Sequence, residues 1–213
     1  MCGLYSLTTS REAVRQLFPR DWQWSVPDAE FEPAAKIGPS AKKPGSASNH
    51  RLVARRQGDT IEFALLRWRY EARWMRDKGI SVPINARSET MWSNGLFKYS
   101  ARDRRCLVIV DGFYEPKGPK GGKREQYLFT FPGQRAFALG GLWISYQGED
   151  DAFDGFIICT TEPNDQVSPI HSRMPVILEH EQEWTDWLTG SEDDARHLCD
   201  PIERSELGCR RVS

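Results

Sequence analysis

The chain has 213 residues, a formal net charge of −1, 39% hydrophobic residues and 11% aromatic residues. This length and apolar content suffice for one sizeable core, and we predict a single domain over residues 1–213. No apolar run approaches the roughly 18 residues that cross a bilayer, and no basic segment followed by an apolar stretch precedes the first strand-like sequence. We therefore expect neither a membrane span nor a cleaved secretion signal.

Charge is distributed unevenly along the chain. Residues 51–105 contain 13 Lys or Arg and 6 Asp or Glu, whereas residues 149–213 contain 5 and 16. Such asymmetry is typical of a protein with a cationic face for a polyanion and an acidic remainder. Chance segregation of charge is the alternative interpretation.

The cysteine pattern excludes two common structural roles. The five cysteines are odd in number, widely spaced and without a C-x-x-C pair: Cys2, Cys106, Cys159, Cys199 and Cys209. This argues against a disulfide framework and against a zinc site. We expect no metal and no cofactor, and a cytoplasmic location.

The first predicted element is an amphipathic helix in "TSREAVRQLF" (9–18). Thr9 and Glu12 have the spacing of a capping box, and apolar residues follow at helical spacing. The next segment, "GPSAKKPGSASNH" (38–50), is rich in Gly, Pro and Ser and is predicted to be an exposed loop.

Most of the remaining chain has strand-like sequence. "RLVARR" and "TIEFALLRW", separated by Gly58 and Asp59, predict a hairpin. Further strands are predicted in "CLVIVDGFY" (106–114), "EQYLFTF" (125–131), "RAFALGGLWISY" (135–146), "GFIICTT" (155–161) and "PVIL" (175–178). A helix is predicted in "EQEWTDWL" (181–188), and residues 199–213 are predicted to be a ragged tail. The fold class is therefore α+β, with a mainly antiparallel sheet curled into a barrel-like core and flanked by helices.

Three polar residues stand inside otherwise apolar segments. They are Asn85 in "PINARSET", Glu115 in "DGFYEPK" and His171 in "PIHSRMP". Singly, each has a structural explanation, as a turn cap, a strand end and a solvated loop residue. Together with Cys2 they include a nucleophile, an acid or base and a polar orienting group, which is the minimum for covalent catalysis.

The stretch "RWRYEARWMR" (67–76) interleaves arginines with aromatic residues. Guanidinium groups bind phosphates, and aromatic faces stack on bases with about 1–3 kcal/mol per base. Trp68, Arg69 and Trp74 are therefore candidates for binding single-stranded nucleic acid. In the alternative, alternate tryptophans face the core and the arginines face water, which explains at least one of the two tryptophans.

Five ordered blocks resemble the SOS response-associated peptidase (SRAP) family. They are "MCG" at 1–3, "NARSET" at 85–90, "LFK" at 96–98, "RCLVIVDGFYE" at 105–115 and "HSRMPVIL" at 171–178. The resemblance implies a single domain with a barrel-like antiparallel core. It also implies that the protein senses abasic sites in single-stranded DNA, crosslinks to them, and removes its own Met1 to expose Cys2. Such a role implies association with the nucleoid if the source is bacterial.

The resemblance assigns a role to each candidate. It implies that Cys2 is the nucleophile, Asn85 orients the N-terminal residue, Glu115 is a general acid or base and His171 is a second proton carrier. Arg87 and Arg173 match positions that family members use for backbone phosphates, and Lys98 is a weaker candidate. Three departures from the family pattern, Leu4, Arg69 and Pro116, concern the DNA-facing surface more than these catalytic positions.

An N-terminal cysteine has chemistry that an internal one lacks. Its α-amine and thiol can both add to one aldehyde carbon and close a five-membered thiazolidine ring, and a ring-opened abasic sugar presents such an aldehyde. The implied activities are autocatalytic, cysteine-type removal of Met1 and crosslinking to abasic single-stranded DNA by a monomer, with lyase activity left open. A cysteine peptidase acting on other proteins, with Cys2 and His171 as a dyad, and a non-covalent single-strand binder are the alternatives.

Overall fold

The computed structural model describes residues 2–27, 30–39, 50–119, 121–148, 151–202 and 207–213. Its centre is a closed barrel of long strands. The barrel strands are β4 (His50–Gln57), β5 (Thr60–Arg67), β7 (Arg105–Val110), β10 (Phe137–Gln147) and β11 (Ala152–Thr161). They pair in the order β11-β10-β7-β4-β5 through antiparallel ladders, and a parallel pairing of Arg67 with Gly155 closes the ring.

The barrel closes at a glycine because the backbone there allows nothing larger. A Cβ atom on Gly155 would overlap the carbonyl oxygen of Arg69, just beyond the end of β5. Inside the barrel, Val108 of β7 stands opposite Val53 on one side and Leu139 on the other, and all three are fully buried. Branched apolar side chains fill this interior, as expected for a small barrel.

A second sheet packs beside the barrel and contains the start of the chain. Its strands, in spatial order, are β14 (Gly208–Arg211), β9 (Glu125–Thr130), β8 (Gly112–Lys117), β1 (Tyr5–Leu7) and β3 (Ala34–Ile37). β8 follows barrel strand β7 after the single residue Asp111. The sheet therefore connects the N-terminal segment directly to the barrel wall.

Short elements cover the barrel. The helices are α1 (Arg11–Leu17), α2 (Arg73–Asp77), α3 (Ser88–Met91), α4 (Lys98–Asp103), α5 (Glu181–Thr189) and α6 (Glu192–His197). Two-residue and three-residue strands complete the structure: β2 (Gln23–Trp24), β6 (Asn85–Arg87), β12 (Met174–Pro175) and β13 (Ile177–Leu178). No helix in the described ranges is long and apolar enough to cross a membrane.

The predicted fold class is confirmed, and so is the hairpin at Gly58 and Asp59, which joins β4 to β5. The α1 helix forms, but its cap was assigned to the wrong residue. Ser10 is the N-cap, and its hydroxyl accepts from the backbone N–H of Ala13 at 3.3 Å. Thr9 instead donates its hydroxyl to Asp111 at 3.1 Å.

Two other predictions need correction. "CLVIVDGFY" forms two strands in different sheets, because the chain turns at Asp111. The C-terminal segment is not a ragged tail, because β14 pairs with β9 from Gly208 to Arg211 and Leu207 is buried. Most of the predicted loop at 38–50 lies outside the described residues.

Candidate active site

The pairing of β1 with β8 brings Cys2 to Glu115. Tyr5 stands opposite Phe113, and the backbone N–H of Tyr114 donates to the carbonyl of Leu4 at 2.9 Å. Cys2 is fully buried. Burial raises the pKa of its thiol, and the neighbouring Glu115 carboxylate raises it further. The thiol is therefore protonated near neutral pH, within electrostatic reach of Glu115.

Glu115 lies in the middle of β8, with a side chain that is 0% exposed. Removal from water raises the pKa of this carboxyl to about 7. A carboxyl with such a pKa exchanges its proton near neutral pH, which is the property required of a general acid or base. The strand contributes rigidity, because β8 is paired on both sides, with β1 and β9.

His171 is the second titratable group of the site. Its Nδ1 atom lies 3.5 Å from Oε2 of Glu115. The same nitrogen lies within hydrogen-bond distance of two backbone groups of Arg173, the N–H at 3.2 Å and the carbonyl oxygen at 3.1 Å. The first can donate to the neutral imidazole, and the second can accept from a protonated Nδ1. Burial lowers the pKa of His171, so the imidazole is neutral near pH 7.

Asn85 is positioned by the barrel and not by β8. It begins β6, which runs parallel to β11 with Asn85 opposite Ile158. Its side-chain amide donates to the carbonyl of Ile158 at 3.5 Å. Its Oδ1 atom is buried and has no hydrogen-bond partner among the described residues. This oxygen can accept a further hydrogen bond.

Arg87 and Arg173 lie two residues after Asn85 and His171, and their guanidinium groups differ in accessibility. Arg173 donates to both carboxylate oxygens of Glu89, at 2.5 and 2.9 Å, and to the carbonyl of Thr160 at 2.7 Å. Its side chain is only 14% exposed. Arg87 pairs with Thr160 through β6 and is exposed. The Arg87 side chain is therefore accessible from solvent, whereas the guanidinium of Arg173 is occupied by Glu89.

The other candidates for DNA contact separate into core and surface residues. Trp68 is fully buried, packs against Tyr5 and Phe156 and donates its indole N–H to Ile84. The expectation that it stacks on bases is wrong for this structure, and the core alternative holds. Arg69 lies 2.6 Å from Glu71 in a mostly buried ion pair.

Trp74 and Lys98 remain accessible. Trp74 is 46% exposed, and the Lys98 ammonium lies 5.0 Å from the ring centroid of Tyr99. Tyr99, which sequence reasoning missed, is 66% exposed and lines a cleft of about 560 Å³ together with Trp74. Its position directly after Lys98 in the sequence could have identified it as a candidate.

Comparison with known proteins defines the family. The family model described as SOS response associated peptidase (SRAP) matches residues 1–213, and the chain belongs to this family. The abasic site processing protein YoaM of Bacillus subtilis is 29% identical over 100% of this chain and 91% of its own length. The abasic site processing protein HMCES of Xenopus tropicalis is 26% identical over 95% of this chain and 71% of its own.

A solved structure supports the fold independently. The crystal structure of a protein from Bacteroides thetaiotaomicron superimposes with a TM-score of 0.79 at 19% identity. The match covers 100% of this chain and 92% of that one. At this identity the likeness concerns the fold alone.

Proposed function

We propose that this protein senses abasic sites in single-stranded DNA and captures them in a covalent thiazolidine crosslink at Cys2, after removing its own Met1. The observation that carries the proposal is the meeting of Cys2, Glu115 and His171 at one place, where Cys2 and Glu115 are fully buried and His171 is partly exposed. Membership of the SRAP family and the printed names of the relatives, abasic site processing proteins, support the choice of substrate.

The electrostatics of the site favour an order of bond formation. Because burial raises the pKa of the Cys2 thiol, the thiol is a poor nucleophile in the free protein. The α-amine, a group whose pKa in free peptides is about 7.7–8.0, attacks the sugar aldehyde first and forms an imine with loss of water. The sulfur then adds to the imine carbon. The thiol proton passes to the imine nitrogen, and the ring closes with atoms and charges balanced.

Glu115 and His171 supply the proton transfers in this scheme. The pKa of about 7 lets Glu115 donate a proton to the departing water and accept one from the thiol. His171, 21% exposed in its side chain, connects the buried carboxyl to solvent. The thiol attack is intramolecular and gains the rate advantage of oriented groups. Asn85 orients the terminal residue through its available carbonyl oxygen.

Removal of Met1 uses the same carboxyl. Glu115 acts as the base for attack by water on the carbonyl carbon of Met1. The peptide bond to Cys2 then breaks, and the proton taken by Glu115 passes to the Cys2 nitrogen. The products are free methionine and a chain that starts with the α-amine of Cys2. Without this step no five-membered ring can form, because the nitrogen of Cys2 is an amide.

The DNA strand is held by the exposed cation and aromatic groups. Arg87 binds a phosphate next to the site, and Arg173 joins it when phosphate displaces Glu89. Bases stack on Trp74, whose cleft also contains Tyr99. The cation Lys98 stands beside this cleft on the first turn of α4.

One gel separates this proposal from its alternatives. Purified protein is incubated with single-stranded oligonucleotides that carry an abasic site or an intact base, and the products are separated under denaturing conditions. We expect a shifted band with the abasic strand alone and its loss in Cys2→Ala. We expect slower formation in Glu115→Gln, because this variant both removes Met1 and transfers protons in the crosslinking step more slowly. A non-covalent binder gives no shifted band with either strand, and a peptidase acting on other proteins cleaves a denatured protein substrate in a Cys2-dependent manner. Either result without the abasic adduct contradicts the proposal.

A further inference from the structure

Asp111 gathers a dense set of hydrogen bonds at the corner between β7 and β8. The residue is 2% exposed. Its Oδ2 atom accepts from the backbone N–H groups of Thr8 and Thr9, at 2.5 and 2.9 Å, and from their hydroxyls, at 2.7 and 3.1 Å. Its Oδ1 atom accepts from the Ser6 hydroxyl at 2.6 Å. We call Asp111 with Ser6, Thr8 and Thr9 the Asp111 clamp.

The Asp111 clamp and the active site lie at opposite ends of the paired segment formed by β1 and β8. Ser6 stands four residues after Cys2, and Asp111 stands four residues before Glu115. Between them, the N–H of Asp111 donates to the carbonyl of Ser6 at 2.8 Å, and the N–H of Tyr114 donates to that of Leu4 at 2.9 Å. The clamp therefore holds the N-terminal segment at the end of the β1–β8 pairing that lies away from Cys2.

The ladder between β1 and β8 is short. The β1–β8 ladder has only two paired positions, Tyr5 with Phe113 and Ser6 with Gly112. On the other side of β1, the register with β3 shifts between Tyr5 and Leu7. A slip of one residue moves a strand by about 3.3 Å and reverses the faces of its side chains. Such a slip removes Cys2 from Glu115.

We propose that Asp111 is a positioning residue for the reaction of Cys2. The clamp fixes the register of β1 against β8 and so holds the amine and thiol of Cys2 against Glu115. The inference rests on the proposed function, and it adds that the precision of the crosslinking site comes from a carboxylate that contacts neither DNA nor the sugar. A role restricted to fold stability is the competing explanation, because a buried carboxylate with five donors also stabilises the chain.

The test compares the clamp with another buried polar cluster of similar size. Asp111→Asn replaces one acceptor oxygen by a donor, and Thr8→Val removes one hydroxyl while keeping the backbone N–H. Arg105→Lys is the matched control, since Arg105 is 4% exposed and donates to the carbonyls of Ala101, Arg102, Trp187 and Gly190. Three quantities are measured for each: the limiting crosslinking rate at saturating abasic DNA, the Kd for intact single-stranded DNA, and the hydrogen exchange of the Tyr114 amide.

We expect the limiting rate of Asp111→Asn to fall at least about tenfold while the Kd stays within about twofold, which is the pattern of a lost interaction at the reacting centre. Tyr114 should exchange faster, and Thr8→Val should show a smaller change in the same direction. Arg105→Lys should lose stability but keep the wild-type limiting rate. An unchanged rate in Asp111→Asn, or an equal fall in Arg105→Lys, overturns the inference. If the wild-type protein forms no adduct, the proposed function fails, and unchanged Tyr114 exchange in Asp111→Asn then refutes the clamp separately.

Discussion

Nδ1 of His171 lies 3.5 Å from Oε2 of Glu115, and the two side chains differ sharply in exposure, at 21% and 0%. Burial raises the pKa of the Glu115 carboxyl to about 7 and lowers that of the His171 imidazole. The two shifts run against the ordinary order of these groups, in which a carboxyl titrates about 2 units below an imidazole. The buried carboxyl and the partly exposed imidazole therefore form a pair whose protonation states are suited to proton transfer near neutral pH.

The raised pKa of Glu115 predicts how stability depends on pH. Because the folded-state pKa exceeds the unfolded value, the folded state binds the proton more tightly, and stability is lost as pH rises through the interval from 4.5 to about 7. Glu115→Gln removes this loss. From pH 5 to pH 8, we expect the unfolding free energy of the variant minus that of the wild type to increase by about 2–3 kcal/mol. Urea denaturation at the two pH values measures the difference.

Glu71→Gln is the matched control for this experiment. Glu71 is also buried, at 2% exposure, and although burial alone raises its pKa, hydrogen bonds from Arg69 and Arg76 hold that pKa below its ordinary value. Its contribution is complete above the unfolded pKa and is lost only in more acidic solution. The difference between Glu71→Gln and wild type should therefore be the same at pH 5 and pH 8. A pH-independent difference for Glu115→Gln would contradict the raised pKa.

Removing Arg87 and releasing Arg173 from its ion pair should change DNA affinity in opposite directions. Arg87→Ala removes an exposed phosphate contact, so we expect weaker binding of single-stranded DNA and a salt slope reduced by about 0.7. Glu89→Gln weakens the ion pair that occupies Arg173 and should strengthen binding, on the order of 1 kcal/mol at low salt. Fluorescence anisotropy over a salt titration measures both. Unchanged binding in Glu89→Gln would mean that Arg173 does not exchange Glu89 for phosphate.

Trp68 and Trp74 form a natural pair of variants with opposite expectations. Trp74→Ala should weaken binding of single-stranded DNA by about 1–3 kcal/mol and leave stability within about 0.5 kcal/mol, because the side chain is exposed. Trp68→Ala should cost about 3–5 kcal/mol of stability, because it empties a packed site between Tyr5 and Phe156. Thermal denaturation and anisotropy on both variants separate the roles. An equal loss of DNA affinity in a folded Trp68→Ala variant would mean that Trp68 also contacts DNA.

The C-terminal strand should contribute measurably to stability. Leu207 is 1% exposed and precedes β14, which completes the edge of the sheet beside β9. Leu207→Ala is expected to lower the unfolding free energy by about 2–5 kcal/mol. Arg210→Ala, on the same strand but exposed, should stay within about 0.5 kcal/mol. Similar stabilities for the two variants would mean that docking of Leu207 contributes nothing measurable to the fold.

The sequence pattern predicted the fold class because its strands are long and bounded by turn residues. The Gly58 and Asp59 turn fixed the first hairpin, and continuous apolar runs marked the buried strands. The pattern could not find the division of "CLVIVDGFY", because Asp111 turns the chain through contacts with Thr8 and Thr9, more than a hundred residues away. The short β14 strand was missed for a related reason, since its sequence alone does not reveal that β9 offers it an edge.

The candidate site was foreseen only in part. Residue type and order led to Cys2, Glu115 and His171, and the structure brings these three together. Exposure was not readable from the sequence. Alternation of Trp and Arg suited both a DNA surface and a half-buried strand, and packing placed Trp68 in the core. The engagement of Arg173 by Glu89 also depends on tertiary contact, between α3 and the segment that precedes β12.

The central claim is that the amine and the sulfur of Cys2 bind one sugar carbon. Its most direct test is mass spectrometry of the adduct after nuclease digestion, treatment with a thiol-alkylating reagent and cleavage with trypsin. We expect the peptide of residues 2–11 to lack Met1, to carry the sugar and to remain unalkylated at Cys2. A sugar-bearing peptide that retains Met1, that is alkylated at Cys2, or that comes from another part of the chain would contradict the account.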